Sequence, residues 1–429
     1  MATGIELPRE FLTGLFRTAV AEADPMKVVS RHLPKRPRNE RLLVIGAGKA
    51  SARMAEAVEA HYGPCEGLVI TRYGYARPCE GIEIVEAAHP VPDAAGEAAT
   101  RRLLGILSGM GPGDHVLALI SGGGSALLCA PKDGLTMADK MAINAALLAS
   151  GAPIGEMNVV RKHLSRVKGG QLAAACHPAR LLTLLISDVP GDDPSQIASG
   201  PTVGDTGTPE QALTILNRWN IAIPDHVRAA ITDRSSVVAP GDPRLAGTET
   251  RIIAAPSQSL SAAADAAREA GCDVRILGDA LEGEARDLAA DQAKAAMSLQ
   301  DAMRPGDAPI LLISGGECTV TRRGSGIGGP NAEFTLAAAL ALDGRPGIHV
   351  LACDTDGVDG AAEVAGAYCG PDVRSRAESG ALSLERALAT NDAHTLFAAI
   401  GCQIVTGPTL TNVNDFRAVL IEADNSGRR

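Results

Sequence analysis

This chain has very few aromatic side chains and no excess of positive charge. Only 2% of its 429 residues are Phe, Trp or Tyr, and the formal net charge at neutral pH is −10. Proteins that bind nucleic acid stack bases on aromatic rings and neutralise phosphates with Lys and Arg. The composition therefore argues against a nucleic-acid partner. A small anionic ligand is still compatible with it, because a local group of cations sets the potential of a site.

Cysteine motifs and long apolar runs are absent as well. The nine cysteines are scattered and form no CxxC pair, so neither a zinc ribbon nor a dithiol motif is indicated. The first residues, MATGIELPREFLTGLF, lack the basic start and apolar stretch of a secretory signal. No window of the sequence has the apolar length needed to span a bilayer. Free thiols are typical of a reducing compartment, so we expect the protein in the cytoplasm without a membrane partner.

Short apolar runs alternate with amphipathic segments along most of the chain, which is the pattern of an α/β fold. A chain of 429 residues exceeds what one hydrophobic core usually spans, so two domains are expected. The segment SSVVAPGDPRLAGTE, residues 235–249, is the strongest boundary signal because of its Pro, Gly and Ser content. We predict domains at residues 1–238 and 239–429, with Arg251–Ala255 as the first strand of the second domain.

An acidic turn follows the apolar run that ends at Ile186. The sequence SDVPGDDPSQIASGPT brings Asp188, Asp192 and Asp193 to the end of a predicted buried strand. Ligands of open α/β sheets bind outside the carboxyl ends of the strands. Three carboxylates this close repel one another unless a cation, a lysine or solvent compensates. A catalytic turn and a solvated surface turn are both open on this evidence.

The sequence LLVIGAGKAS predicts a strand, a tight turn from Gly46 to Gly48 and a helix that begins near Lys49. This arrangement is typical of an anion cradle. The dinucleotide fingerprint is incomplete, because Ser51 replaces its third glycine and Arg72 stands where an acid is expected. A lysine at a helix N-terminus is unfavourable with the helix dipole, so its presence favours an anion bound between them. The alternative is a lysine that extends into solvent.

A second glycine turn, SGGGS, comes straight after the predicted strand His115–Ile120 and predicts another anion-binding nest. Its candidate ligand-binding residues are Ser121, Gly122, Gly123, Gly124 and Ser125.

The basic segment NVVRKHLSRVKGG holds four cations at residues 161, 162, 166 and 168. Arg161 and Lys168 lie two turns apart on one face if a single helix contains both. For Arg161, a ligand contact and an ordinary basic helix surface are equally compatible with the sequence. For Lys162, Arg166 and Lys168 the ordinary surface is favoured.

Acidic residues also follow two predicted strands of the second half. SGGE ends in Glu317, and the next motif, DTDGVDG, begins with Asp354 and Asp356. A calcium loop is rejected, because Ala365 occupies the position of its terminal glutamate. A magnesium-phosphate role and a role in binding hydroxyl groups both stay open.

Taken together, GAGKAS, SGGGSALL, NVVRKHLSRVKGG, SDVPGDDPSQIASGPT, SGGE, CDTDGVDG and TGPTLTNVND resemble the MOFRL-type (class II) glycerate 2-kinases. The motifs extend over nearly the whole chain. The resemblance implies an N-terminal Rossmann-like three-layer α/β/α domain with a mostly parallel sheet and a C-terminal α/β domain with a mixed sheet. It also implies an active site in the cleft between the domains. Members of this family have also been labelled hydroxypyruvate reductases.

The resemblance implies that ATP and Mg²⁺ convert D-glycerate to 2-phosphoglycerate and ADP. Alternatives are an NAD(P)H-dependent hydroxypyruvate reductase and a non-catalytic sensor of hydroxy acids, and a homodimer is left open. Lys49 and Asp188 are the residues to which the resemblance assigns catalysis. The remaining candidates are Gly46, Gly48, Ser121, Gly122, Gly123, Gly124, Ser125 and Glu317 for the nucleotide, Arg161, Arg323 and Asp356 for the substrate, and Asp192 and Asp354 for the metal.

Overall fold

The structure is a computed structural model that describes residues 5–37, 40–233, 235–360 and 362–424. The described chain divides into two compact units. The parallel-sheet unit contains Pro25–Asp188 and Asp192–Ile253. The mixed-sheet unit contains the described residues before Pro25, the segment Val189–Gly191 and the described residues from Ala254 onward. Within the described ranges, no helix combines the length and apolarity needed to cross a membrane.

The elements of the first part of the chain follow the predicted alternation. They are α1 (Pro8–Glu22), α2 (Pro25–His32), β1 (Leu42–Ala47), α3 (Ser51–Tyr62), β2 (Glu66–Arg72), β3 (Ile82–Ala87), α4 (Ala94–Leu107), β4 (His115–Ile120), α5 (Gly124–Leu127), α6 (Met137–Ser150), α7 (Ile154–His163), α8 (Gln171–Cys176), β5 (Arg180–Ile186), α9 (Pro209–Arg218), α10 (Asp225–Asp233) and β6 (Thr248–Ala254).

The alternation continues in the second part, with shorter helices near the end. Its elements are α11 (Pro256–Glu269), β7 (Asp273–Gly278), β8 (Gly283–Glu284), α12 (Ala285–Ala302), β9 (Ile310–Gly316), β10 (Cys318–Thr319), α13 (Pro330–Leu342), β11 (Ile348–Asp354), β12 (Gly366–Cys369), α14 (Val373–Ser379), α15 (Leu384–Ala389), α16 (Ala393–Ala399), β13 (Gln403–Ile404) and β14 (Asp415–Ile421).

The parallel-sheet unit is built on six strands in the order β3-β2-β1-β4-β5-β6. Strands β1 to β5 pair in parallel, with Ile45 beside Leu68 on one side and beside Ala118 on the other. The central strands are continuous apolar runs, as expected for strands that are buried on both faces. The order reverses direction between β1 and β4, which makes that position the topological switch point of a doubly wound sheet. The predicted Rossmann-like sheet is confirmed.

Helix α3 packs against β1 and β2, the strands that it connects, and helix α4 packs against β3 and β2. Right-handed crossovers on either side of the switch point place such helices on opposite faces of a sheet. Away from the sheet, helices α6, α7, α9 and α10 share an apolar cluster. Its members include Leu147, Val160, Leu216 and Ile231. The cluster fixes α6 and α7, which supply side chains to the cavity described below.

The sheet of the mixed-sheet unit has the order β13-β12-β11-β14-β9-β7. Its pairs are antiparallel except β7 with β9, so the predicted mixed sheet is also confirmed. Alternate residues of β9 enter different cores. Leu311 and Ile313 pack in the cluster that includes α1 and α11, whereas Leu312 packs in the cluster that includes α12 and α13. Apolar groups therefore cover both faces of this sheet.

The compact units differ from the predicted division after residue 238 in two respects. The segment predicted as the first strand of the second domain is β6, which lies beside β5 in the first sheet. Helix α1 belongs to the mixed-sheet unit, where Leu12 and Phe16 share a core with Leu260 and Phe416. Both differences arise from long-range packing, because an apolar stripe does not identify the surface that will cover it.

Candidate functional site

Three segments that follow β1, β4 and β5 meet at the carboxyl edge of the parallel sheet. Gly124, after β4, would place a Cβ 2.8 Å from the carbonyl oxygen of Ala47 and 2.9 Å from the Cβ of Ala198. Ala47 ends β1, and Ala198 lies in the loop after β5. Only glycine permits so close an approach, because it has no Cβ. Gly124 thus brings the three segments together at the switch point.

The turn after β1 is held by the buried Ser121. The Ser121 hydroxyl oxygen accepts a hydrogen bond from the backbone N–H of Ala50 at 3.0 Å. Gly48 has φ +148°, and a Cβ on it would lie 2.1 Å from Ser121 Oγ. Packing also requires glycine at position 46, because a Cβ on Gly46 would lie 2.4 Å from the carbonyl oxygen of Leu119. Gly46, Gly48 and Ser121, all from the predicted nucleotide site, therefore allow the turns after β1 and β4 to pack together. Their contact with a ligand remains a prediction.

Lys49 follows this turn and is half-buried. Its backbone N–H donates to the Gly122 carbonyl oxygen at 2.8 Å. A Cβ on Gly123 would lie 3.1 Å from Lys49 Cγ and 3.1 Å from the ring carbon Cδ2 of His89. The Lys49 side chain therefore passes against the second glycine turn. Its role at an anion site stays a prediction.

The loop after β5 carries the three predicted carboxylates in different environments. Asp188 is half-buried at the start of the loop. Asp193 has a local role, since its two carboxylate oxygens each accept a 2.8 Å hydrogen bond from Ser195. Asp192 has φ 55°, and its buried Oδ1 has no hydrogen-bond partner. Among the three, Asp192 therefore offers an oxygen that the protein does not use.

The same loop contains two further residues with left-handed backbones. Ala198 has φ 51° and Ser199 has φ 62°. Such conformations cost roughly 1–3 kcal/mol each in residues other than glycine and are concentrated at functional sites. Ser199 is held by a hydrogen-bond chain, because its Oγ lies 2.8 Å from Ser125 Oγ and also donates to Asn158 Oδ1 at 3.3 Å. These hydrogen bonds fix the loop after β5 against the second glycine turn.

A cavity of about 370 Å³ lies beside that glycine turn, within the parallel-sheet unit. Most of its lining is apolar, and no carboxylate is among the described residues that line it. The apolar part comes mainly from the segment after β3 and from α6. Its members include Pro90, Val91, Pro92, Met137, Met141, Ile143, Leu147 and Leu148.

Three cations, Lys140, Arg161 and Lys168, complete the lining. Lys168 donates to the carbonyl oxygen of Ser125 at 2.7 Å and to its hydroxyl at 2.9 Å. Arg161 donates from Nε to the side-chain oxygen of Asn144 at 2.6 Å. In the described part of the chain, none of the three cations forms an ion pair. The lining of this cavity therefore carries an excess of positive charge, which suits an anionic ligand.

Burial shifts the acid–base equilibria of these groups towards their neutral forms. It lowers the pKa of Lys140 to about 8, lowers the pKa of Lys168 well below its ordinary value and lowers the pKa of Arg161. The neighbouring positive charges lower the pKa of both lysines further. A bound anion would oppose all of these shifts, because it stabilises the charged forms.

The sequence did not identify two of these three cations. Lys168 was interpreted as ordinary surface, but its side chain is buried, and Lys140 was not singled out at all. Arg161 and Lys168 are not on one helix, because α7 ends at His163, before Lys168. The available signal is that Lys140 is the one cation of the Ala- and Leu-rich α6.

The candidates of the mixed-sheet unit fall into two groups. Glu317 and Arg323 are exposed. Asp354 and Asp356 belong to one turn, where Asp354 Oδ1 accepts from the N–H of Asp356 at 2.9 Å. Asp356 is fully buried and accepts from the N–H of Val358 at 2.8 Å. The Asp356 carboxylate thus supports the turn, and its predicted contact with substrate has no support from this geometry.

A buried polar network underlies that turn. Asp359 accepts hydrogen bonds from the N–H groups of Asn331 and Ala332 and from His394 Nε2, at 2.8–2.9 Å. Asn331 in turn donates to Asp415 at 2.7 Å. Burial raises the pKa of Asp415 to about 7, against the opposing effect of the neighbouring guanidinium of residue 417. The bonds tie together the DTDGVDG and TNVND motifs, which gives those motifs a structural role.

The described side chains do not form a complete metal centre without a bound ligand. Across residues 5–37, 40–233, 235–360 and 362–424, no three His, Cys, Asp or Glu side chains are grouped so as to hold a metal ion. Mg²⁺ that arrives with a nucleotide needs only one or two carboxylates, since phosphates and water complete its shell. The buried, unpartnered oxygen of Asp192 fits that requirement.

Two family matches cover most of the chain. Residues 11–232 match the family described as "Domain of unknown function (DUF4147)", and residues 310–415 match the MOFRL family. A solved structure described as glycerate kinase from Thermotoga maritima superposes with a TM-score of 0.86 at 35% identity. That superposition covers 97% of this chain and 100% of the other.

Two relatives carry different names. The "D-glycerate 2-kinase" of Thermotoga maritima is 36% identical over 410 residues, which is 95% of this chain and 97% of the relative. A protein of Agrobacterium vitis named "Putative hydroxypyruvate reductase" is 51% identical over 417 residues, which is 96% of this chain and 94% of the relative. The identity, the coverage and the shared fold lead to one conclusion: the chain belongs to the MOFRL-type (class II) glycerate 2-kinase family.

Proposed function

We propose that the protein is a D-glycerate 2-kinase, which transfers the γ-phosphoryl group of ATP to the 2-hydroxyl of D-glycerate and gives 2-phosphoglycerate and ADP. The observation that carries the proposal is the convergence of the Lys49 turn, the SGGGS turn and the Asp188 loop at the switch point. The name and the full-length similarity of the Thermotoga maritima relative support the choice of substrate.

The spacing of the strands suits phosphoryl transfer. Strand β4 lies between β1 and β5, so the ends of those two strands are roughly 10 Å apart. Such a gap accommodates a phosphoryl group between a cation on one side and a carboxylate on the other. Phosphoryl transfer needs little more than in-line positioning and neutralisation of charge on the transferred group.

The mechanism assigns one role to each side chain. The Asp188 carboxylate accepts the proton of the 2-hydroxyl group, whose oxygen forms a bond to the γ-phosphorus. The bond between that phosphorus and the leaving oxygen of ADP breaks at the same time. The Lys49 ammonium stabilises the negative charge on the equatorial phosphoryl oxygens. Arg323, which belongs to the mixed-sheet unit, stays a prediction for the glycerate carboxylate, because a planar guanidinium suits that group.

Magnesium supplies neutralisation of the β- and γ-phosphate charge when it is bound. Asp192 would hold it, because its Oδ1 is buried and lacks a hydrogen-bond partner. Asp354, which belongs to the mixed-sheet unit, stays a prediction from the sequence as a metal ligand. We also infer a reducing, cytoplasmic setting, which is supported by the nine cysteines, all of them free thiols.

A coupled assay tests the reaction. Purified protein is given D-glycerate, ATP and Mg²⁺, and the formation of ADP and of 2-phosphoglycerate is measured separately. We expect both products in equal amounts, and at least ~100-fold slower formation of both by the Lys49→Ala variant prepared in the same way. ADP without 2-phosphoglycerate would refute the proposed position of transfer.

The reductase alternative is tested in the same assay, because the Agrobacterium vitis relative is named as a putative hydroxypyruvate reductase. The structure offers it little support. A dinucleotide turn needs a third glycine for close packing of helix on strand, whereas here Ser51 fills that position and donates to the Leu119 carbonyl oxygen at 2.9 Å. Oxidation of NADPH by hydroxypyruvate, with no ADP formed from ATP and D-glycerate, would replace the kinase proposal by the reductase.

A further inference from the structure

The cavity beside the SGGGS turn has the chemistry of a nucleotide site. A three-carbon hydroxy acid is much smaller than about 370 Å³ and has almost no apolar surface to cover the walls formed by the segment after β3 and by α6. Cavities of this size hold ligands of several rings or groups. The purine base of a nucleotide has flat apolar faces that match such walls. The polyphosphate of the nucleotide carries negative charge, which suits the three cations of the lining, none of which forms an ion pair among the described residues.

Two of the three cations are anchored on other residues of the cavity lining. Lys168 is anchored on Ser125, in the glycine turn itself, and Arg161 is anchored on Asn144 of α6. Gly123, which also lines the cavity, has the Lys49 side chain against it. Gly123 is therefore shared by the lining of the cavity and the surroundings of the Lys49 side chain.

We propose that this cavity binds the adenine nucleotide, with the base against Met141 and Leu148 and the polyphosphate on Lys140, Arg161 and Lys168. The assignment rests on the proposed kinase function for the choice of ATP and ADP over other nucleotides. It moves Arg161 from the glycerate carboxylate, where the sequence suggested it, to the phosphates.

Equilibrium binding of ADP and of ATP without D-glycerate tests this site, because binding is measured apart from turnover. Leu148→Glu places a negative charge at a wall position that is 60% exposed, so the fold should tolerate it. Ile154→Glu is the matched control, since Ile154 is also 60% exposed and is not among the lining residues. Lys140→Met removes one of the three cations.

We expect Leu148→Glu and Lys140→Met each to weaken ADP binding by ~10- to ~100-fold. Lys140→Met removes about one charge-assisted hydrogen bond, and Leu148→Glu replaces an apolar contact by a charge that repels the nucleotide. Ile154→Glu should bind ADP like the unaltered protein, and the KM for D-glycerate should change less than ~2-fold in all three variants. Melting temperatures and circular dichroism check that each variant is folded.

Three results would overturn the assignment. One is an unchanged ADP affinity in both cavity variants, and another is a raised KM for D-glycerate with ADP affinity unchanged, which would make this the glycerate site. The third is tight binding of NADPH with no binding of ADP. Failure of the kinase proposal is recognised separately: the protein would bind ADP in the cavity and yet form no 2-phosphoglycerate.

Discussion

Replacing Lys140 by Met should make the unliganded protein more stable at neutral pH. Burial is the largest cause that lowers the pKa of Lys140 from 10.5 to about 8, and the Arg161 charge acts in the same direction. Cys129 and Glu97 oppose the shift. A lowering of this size corresponds to a cost of about 3 kcal/mol for keeping the folded-state lysine charged. Met has a similar unbranched stem and no charge.

The expected gain in the free energy of unfolding is about 1–2 kcal/mol at pH 7, less than the full cost because solvent reaches part of the Lys140 side chain. Its dependence on pH has a definite sign. The folded-state pKa is lower than the unfolded-state pKa, so folding is penalised fully below pH about 8, and the penalty disappears as the pH rises towards 10.5. The advantage of the variant should therefore be smaller at about pH 9.5 than at pH 7.

Urea unfolding followed by circular dichroism measures this difference at both pH values, without nucleotide. Lys294→Met serves as the control, since Lys294 is exposed on α12 and its loss should change the free energy of unfolding by less than ~0.5 kcal/mol. A Lys140→Met protein that is less stable at pH 7, or whose gain does not depend on pH, would refute the reasoning. The same variant should lose nucleotide affinity, so stability would be gained at the expense of binding.

The remaining predictions concern the catalytic groups. Lys49→Ala and Asp188→Asn should each lower kcat at least ~100-fold in proteins that keep their circular dichroism spectra, because each removes a group that acts on the transferred phosphoryl or on the hydroxyl proton. Near-normal kcat in either folded variant would exclude its assigned role. Asp192→Asn should raise the Mg²⁺ concentration needed for half-maximal activity by ~10-fold with Asp193→Asn as the control, and an equal response of the two variants would exclude Asp192 as the metal ligand.

Much of the parallel sheet could be predicted from the sequence, because a strand buried on both faces is a short apolar run that local composition makes visible. The turns after β1 and β4 could also be predicted from local composition. Close approach at Gly48 and Gly124 requires glycine, and glycine is read directly from the sequence. Their positions relative to those turns and strands make Lys49 and Asp188 candidates, and the resemblance assigns catalysis to them.

Local sequence is enough to predict the α/β alternation, the two glycine turns and the carboxylates at the end of β5, since each depends on neighbours within a few residues. Three other features follow from the folded structure: β6 completes the first sheet, α1 packs in the second core, and Lys140, Arg161 and Lys168 line one cavity. These depend on contacts between residues far apart in the chain. A lysine on a helix has the same local signature in solvent as in a buried site, and only packing distinguishes the two.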